Sequence, residues 1–245
     1  MSLEAACERV LQLRLSSFQL KLDIIDVLAN IRPVARIIVR KKDEAADCAR
    51  VLLHENLEIS VGAACQMIPG NLGFADHQTA VDAADRSDFV RLYVSKQRSR
   101  CDSAKKADES AMDPDLGREL GYPICCVKAV ERSGGVPGIL DSLARYSEGG
   151  FYDPLAWPAA HLFDGGLIAH FPCSMRCQQT HLLAQKRLKI LDAIDSRFQT
   201  RFWYRFVELN TMPYPADAAA YPWEPGAGMG SYTPLLPVHR HELYR

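Results

Sequence analysis

The sequence predicts an α/β or α+β fold in which a small N-terminal layer of sheet and helix precedes a mainly helical C-terminal half. Three observations lead to this prediction. The first hundred residues alternate between helical spacing of apolar residues and short strand-like runs. From about residue 113 onward, helical stretches are separated by glycine and proline. Hydrophobic residues make up 48% of the 245 residues and charged residues 24%, as expected for a chain with a substantial core.

The N-terminal elements follow from the places where the apolar pattern changes its period. Apolar residues recur near helical spacing up to Pro33, which ends the first helix. β-Branched residues then favour a strand, and Asp43 is a typical N-cap for the helix that follows. The predicted elements are a helix over 3–31, a strand over 36–40, a helix over 43–54, and strands over 57–64 and 89–94.

The C-terminal elements are bounded by the glycine pairs at 134–135 and 149–150. The predicted helices cover residues 123–133, 137–146 and 174–195. Residues 198–209 are predicted to form a buried helix or strand. The tail after them has six prolines in 36 residues, which favours an extended chain, and its Tyr and Trp residues favour docking on the domain surface. The predicted divisions are an α/β region over 1–100, a helical cysteine-motif region over 101–209 and a Pro-rich tail over 210–245.

Charge and hydropathy argue against two classes of partner. The chain has 29 basic and 30 acidic residues and no long basic run, so we expect no nucleic-acid partner. No stretch approaches the ~20 apolar residues that cross a bilayer, so we expect no membrane insertion. The N-terminus, with Glu4 and Glu8, does not resemble a secretory signal. We therefore expect a cytoplasmic location, where eight cysteines favour metal binding, catalysis or burial over disulfides.

Four of the cysteines lie in two short clusters, each led by a proline. The clusters are Gly121-Tyr122-Pro123-Ile124-Cys125-Cys126 and His170-Phe171-Pro172-Cys173-Ser174-Met175-Arg176-Cys177. Proline is favoured at the first helical position, so both clusters are predicted to begin helices. Free N–H groups and the helix dipole favour a thiolate there. The helical half is therefore predicted to carry a cysteine-lined site made by two facing helix starts.

The spacing within each cluster predicts which side chains could bind a metal. Cys173 and Cys177 are four residues apart and would share one face of a helix. Cys125 and Cys126 would point about 100° apart, so that one ligates while the other packs. His170 could add an imidazole. The predicted metal ligands are Cys125, Cys126, His170, Cys173 and Cys177.

Several kinds of chemistry remain open for these residues. Four thiolates suit an iron–sulfur cluster, and three thiolates with His170 suit a tetrahedral zinc site. In a metal-free thiol enzyme, Cys173 would attack and Cys126 or Cys177 would resolve the intermediate. Alternatively, the cysteines are small buried hydrophobes.

The functional prediction is a cytosolic metal-binding protein that carries an iron–sulfur cluster or zinc. As an enzyme, it would use the metal to hold or activate a small-molecule substrate in a redox or tailoring step. A non-catalytic module is the other alternative, in which zinc staples two helices and the aromatic tail docks an unidentified protein partner.

The remaining cysteines are predicted to have structural or incidental roles. Cys7 and Cys48 lie on apolar helix stripes and Cys65 ends a strand, so all three are expected in the core. Cys101 lies among charged residues and is expected to be an exposed thiol, with a spare metal ligand as the alternative.

The two clusters resemble the motifs of a prokaryotic family known as domain of unknown function 483. Those motifs are Leu-Gly-Tyr-Pro-x-Cys-Cys, here residues 120–126, and His-x-Pro-Cys-Ser-x-x-Cys, here residues 170–177. The resemblance covers about residues 88–190. An aromatic residue often follows the double cysteine in that family, whereas this chain has Val130. The resemblance implies one site shared by both motifs and no particular reaction.

A looser pattern is similar to the cysteine-rich iron–sulfur domain of heterodisulfide reductases. That domain has one cysteine, then a vicinal pair, then a spaced pair, which here would be Cys101, Cys125-Cys126, and Cys173 with Cys177. Val127 stands where glycine is expected, the last pair is one residue further apart, and the pattern occurs in a single copy. The resemblance implies that vicinal cysteines can serve on an iron–sulfur cluster.

Overall fold

The fold is mixed α/β, with helices packed against a three-stranded antiparallel sheet. The computed structural model describes residues 2–13, 15, 18–40, 44–65, 89–135, 155, 167–174 and 176–195. Within these ranges the predicted fold class is confirmed, including the N-terminal layer of sheet and helix.

The described helices and strands alternate in the first half of the chain, and helices follow. In chain order they are α1 (Leu3–Leu11), α2 (Phe18–Leu28), β1 (Val34–Arg40), α3 (Glu44–His54), β2 (Glu58–Cys65), β3 (Phe89–Ser95), α4 (Arg98–Glu109), α5 (Asp113–Glu119), α6 (Ile124–Arg132) and α7 (Gln178–Ile194). Among the helices in the described ranges, none has the length and apolar character needed to span a bilayer.

Two predicted helices have different bounds in the structure. The helix predicted over 3–31 is two helices: α1 ends at Leu11 and α2 begins at Phe18. The end of α1 tightens, because the N–H groups of Gln12 and Leu13 donate to carbonyls three residues back. The helix predicted from residue 174 begins at Gln178. The helix predicted over 137–146, the segment 198–209 and the tail lie outside the described residues, and the division into three regions stays a prediction.

The sheet has β3 in its centre, with β1 and β2 paired antiparallel on either side. β1 and β2 are consequently parallel to each other, and α3 connects them past the central strand. The β1–β3 pairing runs without a break from Val34–Ser95 to Arg40–Phe89. The β2–β3 pairing shifts register between Val61 and Ala64, an irregularity typical of an edge strand.

One face of the sheet belongs to the main hydrophobic core. Ile37 of β1 and Leu92 and Val94 of β3 are almost completely buried there. Helices α1, α2, α3 and α7 contribute to the same core, with Val10 and Leu188 as members from the two ends of the described chain. The packing therefore joins α7, which follows the second cysteine cluster, to the N-terminal layer.

The opposite face of the sheet packs against α4 and α5. Val34 and Tyr93 form a second apolar cluster with Cys101 of α4 and Leu116 of α5. Cys101 is fully buried, and its Sγ lies 3.4 Å from the carbonyl oxygen of Glu58, to which it donates a hydrogen bond. The prediction of an exposed Cys101 is wrong, because α4 turns this side chain toward the sheet. Cys7 and Cys48 are buried, as predicted.

A buried ion pair ties α7 to α2. Arg187 Nε lies 2.6 Å from Asp26 Oδ2, and Arg187 Nη2 lies 3.2 Å from Asp23 Oδ1. Arg187 Nη1 also donates to the carbonyl of Leu167 at 2.7 Å. The segment that leads into the second cysteine cluster is therefore held against α2 by the same guanidinium group.

A second buried arginine makes the matching connection to the first cluster. Arg32 Nη1 donates to Asp23 Oδ1 at 2.7 Å, and its Nε donates to the carbonyl of Leu120 at 3.0 Å. Leu120 directly precedes the Gly-Tyr-Pro motif. Asp23 thus accepts hydrogen bonds from both Arg32 and Arg187, and each of these arginines also donates to a backbone carbonyl near one of the two cysteine clusters.

A third charged network lies on the face of the sheet that α4 covers. Asp108 of α4 is almost fully buried and accepts a hydrogen bond from the hydroxyl of Tyr93. Arg36 Nε lies 2.9 Å from Asp108 Oδ2, and Arg91 Nη1 lies 3.6 Å from the same oxygen. One carboxylate therefore balances two guanidinium groups in a low-dielectric setting.

Replacing Asp108 with Asn tests this network. The substitution removes the carboxylate charge that lies against the buried Arg91 and the partly buried Arg36. We therefore expect a loss of about 3–5 kcal/mol in the free energy of unfolding, measured by urea denaturation. Glu109→Gln is the control, because Glu109 is exposed and its ion pair with Lys105 lies on the surface. Equal stability of the two variants would contradict this account.

Candidate metal centre

The two cysteine clusters meet at one point of the structure. The sulfurs of Cys125, Cys126, Cys173 and Cys177 all lie within 4.8 Å of one another. We call these four sulfurs the four-sulfur group. The Cys125–Cys177 and Cys126–Cys177 Sγ distances are both 3.6 Å, and the Cys125–Cys126 distance is 3.9 Å. All four cysteines are free thiols.

The first pair of sulfurs comes from the opening turn of α6. Pro123 is the N-cap residue, with extended backbone angles of φ −53° and ψ 130°, and not the first helical residue as predicted. Cys125 and Cys126 are the second and third residues of the helix. Both sulfurs belong to the four-sulfur group, so either could serve as a metal ligand. The expectation that one of them ligates while the other packs stays a prediction.

A tight turn between α5 and α6 places this pair. Gly121 has φ +73°, and the N–H of Tyr122 donates to the carbonyl of Gly117 at 3.0 Å, which closes the end of α5. A Cβ on Gly121 would lie 2.5 Å from Cδ of Pro33. Glycine is therefore required here both by the left-handed backbone and by the close approach of another chain segment.

The second pair of sulfurs comes from a non-helical segment. Cys177 is the N-cap of α7, and its N–H donates to the carbonyl of Ser174 at 3.1 Å. Cys173 lies before this turn, so the two cysteines do not share a helix face as predicted, and Pro172 does not start a helix. The N–H of Cys173 instead points at Cys126, with an N–Sγ distance of 3.3 Å.

The prediction that both cysteine clusters begin helices is right for the first cluster and wrong for the second, whose helix begins only after Cys177. The opening turn of α6 supplies two sulfurs and the N-cap of α7 supplies a third. The positive ends of both helix dipoles therefore lie beside the four-sulfur group, where they favour negative charge. The structure brings the sulfurs together even though one of the two helices starts later than expected.

His170 lies beside the four-sulfur group and contacts it through a threonine. Its Nε2 is 2.9 Å from Oγ1 of Thr180, and that oxygen is 3.4 Å from the sulfur of Cys126. The ring centroid of His170 is 5.1 Å from that of Tyr122. The structure places the His170 side chain next to Thr180. A role of His170 as a direct metal ligand stays a prediction.

Sequence reasoning missed Thr180. It is the third residue of α7 and is fully buried. The available signal was its position three residues after Cys177, since a hydroxyl in the first turn of a helix can reach the N-cap side chain. A lone threonine at such a position is too common to indicate a site by itself.

The thiols differ in how easily they lose a proton. Burial raises the pKa of Cys126 far above its usual range, although hydrogen bonds from Thr180 and Cys173 oppose the effect. Burial, together with the neighbouring sulfur of Cys177, raises the pKa of Cys173 to about 12. For Cys177, burial is outweighed by the hydroxyl and backbone N–H of Thr180, and its pKa falls to about 7. Among these three thiols, negative charge settles first on Cys177.

The four-sulfur group is closed on one side and accessible on the other. Cys126 and Cys177 are buried, whereas Cys125 and Cys173 are partly exposed. Ile124, the residue before the vicinal pair, is 54% exposed. An ion bound here would lie near the protein surface, with Cys125 and Cys173 on the solvent side.

No family model matches this sequence, no curated protein matches it, and no solved structure matches its fold. The fold and the four-sulfur group together define the class of protein: an α/β protein with four convergent cysteine sulfurs that could bind a metal ion. Cys101, the additional cysteine in the heterodisulfide-reductase-like pattern, lies outside the four-sulfur group.

Gly121→Ala tests the turn that positions the vicinal cysteines. The left-handed backbone costs about 1–2 kcal/mol for a residue with a Cβ, and the contact with Pro33 adds to it. Gly134→Ala is a matched control, because Gly134 has φ +76° with nothing within 4 Å of the added Cβ. We expect Gly121→Ala to lower the free energy of unfolding by more than Gly134→Ala does, as measured by chemical denaturation. A larger loss in Gly134→Ala would refute the role of the Pro33 contact.

Proposed function

We propose that the protein binds a single zinc ion through the thiolates of Cys125, Cys126, Cys173 and Cys177. One observation supports this most strongly. An ion with metal–sulfur bonds of about 2.3 Å in tetrahedral geometry holds its sulfurs about 3.8 Å apart. The three described sulfur–sulfur distances of 3.6, 3.6 and 3.9 Å are close to that edge length. Cys125, Cys126 and Cys177 would form one face of the tetrahedron, and Cys173 would complete it.

An iron–sulfur cluster, the other metal centre predicted from the sequence, is less well supported. In a cluster the cysteine ligands are shared among several irons, so sulfurs bound to different irons are spread further apart than ligands of one ion. The four-sulfur group fits within 4.8 Å. Such a compact set favours one ion, and a four-thiolate set favours zinc among the common single ions.

The metal-free thiol enzyme is also less well supported. Its nucleophile would be Cys173, but burial raises the pKa of that thiol to about 12, so the reactive thiolate would be scarce at neutral pH. Cys177 has the lowered pKa, yet its side chain is buried. The thiol that ionises most readily is thus poorly placed to meet a substrate.

A fully occupied set of four protein ligands suits a structural zinc ion, because no position is left open for a substrate. The ion would join the start of α6 to the segment before α7, which are separated by about 50 residues in the sequence. The small apolar cluster of Ala129, Val130, Phe171 and Cys173 joins the same two segments. The proposed role is therefore a zinc staple between two distant parts of the chain.

A reducing compartment such as the cytosol is part of this proposal, because zinc ligation needs the thiols reduced. Both motifs of domain of unknown function 483 would supply zinc ligands in this chain. Proteins that carry both motifs would therefore share the proposed zinc site. The aromatic tail as a docking element for a protein partner stays a prediction from the sequence.

Metal analysis of protein purified without oxygen tests the proposal directly. We expect colourless protein with one zinc ion per chain by elemental analysis, and no inorganic sulfide. Cys173→Ser should lose most of this zinc, because a neutral hydroxyl replaces a thiolate ligand. Cys101→Ala is the control and should retain it, since its sulfur contacts the Glu58 carbonyl and lies outside the four-sulfur group. Brown protein with stoichiometric iron and sulfide, or full zinc content in Cys173→Ser, would overturn the proposal.

The affinity for zinc should rise with pH. Burial raises the pKa of Cys126 and Cys173, so both thiols are protonated near neutral pH and zinc must displace their protons. Between about pH 6 and 8, competition with a chromophoric chelator should give an apparent Kd that falls as pH rises. The chelator's own pH dependence is measured separately as the control. A Kd that does not change over this range would be inconsistent with thiol ligands that start out protonated.

A further inference from the structure

A buried chain of polar atoms leads from the imidazole of His170 to the four-sulfur group. Thr180 is fully buried, and its Oγ1 lies between His170 Nε2 at 2.9 Å and Cys126 Sγ at 3.4 Å. His170 is itself 7% exposed. These atoms have little access to water, so the hydrogen-bonding direction along the chain is fixed by the groups themselves.

Once a metal is bound, the hydrogens available on Cys126, Thr180 and His170 determine which group donates in each hydrogen bond. A thiolate on a metal ion carries no proton and can only accept a hydrogen bond. For the 3.4 Å contact between Thr180 Oγ1 and Cys126 Sγ to be a hydrogen bond, the single hydrogen of the Thr180 hydroxyl must then point at this sulfur. The same oxygen must accept from its other neighbour, so Nε2 of His170 has to carry a hydrogen.

We propose that His170 and Thr180 are positioning residues for the metal centre, in which His170 Nε2–H donates to Thr180 Oγ1 and the Thr180 hydroxyl donates to the sulfur of Cys126. This proposal rests on the proposed zinc site. The hydroxyl lowers the electron density on the thiolate of Cys126 and fixes the orientation of the Cys126 side chain. Outer hydrogen bonds of this kind typically change metal affinity by about 10–100-fold.

The structure also shows what holds the imidazole in place. The ring of His170 packs against that of Tyr122 at 5.1 Å between centroids, with the two planes inclined by 32°. The guanidinium carbon of Arg32 lies 5.3 Å from the centroid of the Tyr122 ring. Arg32 is anchored by Asp23 and by the Leu120 carbonyl. The orientation of His170 is therefore set by the same buried charges that hold the first cysteine segment.

The electrostatics of the thiols agree with a hydroxyl that donates. Burial acts to raise the pKa of both Cys126 and Cys177, and the side chain of Thr180 opposes it at both sulfurs. The pKa of Cys126 remains raised, and that of Cys177 is lowered. A donor aimed at the sulfurs stabilises the thiolate form that a metal requires.

Variants of Thr180 separate the hydrogen bond from packing. Thr180→Val has nearly the same shape and no hydroxyl, whereas Thr180→Ser keeps the hydroxyl and loses a methyl group. With zinc as the probe and a chromophoric chelator as competitor, we expect Thr180→Val to weaken zinc binding by about 10–100-fold. Thr180→Ser should bind zinc nearly as tightly as the unaltered protein. Equal zinc affinity in the Thr180→Val and unaltered proteins would overturn the proposal, as would equal weakening in both variants.

A double-mutant cycle tests whether His170 acts through Thr180. His170→Phe removes the donor while keeping a ring, and it should weaken zinc binding in the unaltered background but have little further effect in Thr180→Val. Equal effects in both backgrounds would show that His170 acts independently and would overturn the positioning chain.

Nitrogen-15 NMR of the zinc-loaded protein gives a readout that a merely structural role would not move. We expect Nε2 of His170 to carry the hydrogen, and a bare Nε2 would overturn the assignment. Failure of the proposed function is distinguishable, because the unaltered protein would then contain no stoichiometric zinc. Stoichiometric zinc with unchanged affinity in Thr180→Val would instead leave the zinc site standing and remove only the positioning role.

Discussion

The placement of the two cysteine segments depends on one buried carboxylate, that of Asp23. It accepts from Arg32 at 2.7 Å and from Arg187 at 3.2 Å. Each of these arginines also donates to a backbone carbonyl just ahead of a cysteine cluster, at Leu120 and Leu167 respectively. A guanidinium buried without partners is costly, so the protein keeps these contacts together or loses them together. These contacts therefore constrain the position of both segments without involving any of the four sulfurs.

Around this constraint the sheet and the site have separate tasks. The sheet gives the N-terminal layer two covered faces, and α7 packs into the core on one of them. The same helix begins at Cys177, so its burial in the core sets where that sulfur lies. α6 is placed from the other side by the turn at Gly121, which only a residue without a Cβ accommodates against Pro33. Packing thus brings the four sulfurs close to one another. Hydrogen bonds from Thr180 and from the backbone N–H of Cys173 to the sulfur of Cys126 favour its thiolate form.

The sequence was sufficient for the strands and for the pairing of the two cysteine clusters, because period-two apolar runs and dense thiols are strong local signals. The sequence was insufficient where tertiary contacts decide whether a side chain is buried or where a helix begins. The face of α4 consists of Cys101, Ala104, Ala107 and Asp108, small or charged side chains that look solvated, so their burial could not be anticipated. Pro172 is compatible with a helix start, yet the chain there forms a turn whose N–H groups serve a sulfur and a carbonyl. The position of Thr180 between His170 and Cys126 follows from the meeting of segments that the sequence does not relate.

The wide sequence separation between the Cys125/Cys126 pair and the Cys173/Cys177 pair has a consequence for the growing polypeptide. Cys126 and Cys177 are 51 residues apart. At a synthesis rate of about 5–20 residues per second, the vicinal thiols leave the ribosome roughly three to ten seconds before their counterparts. During that interval two adjacent, unligated sulfurs are open to oxidants and to soft metal ions. The vicinal pair must therefore stay reduced through that interval if the four sulfurs are to meet as thiols.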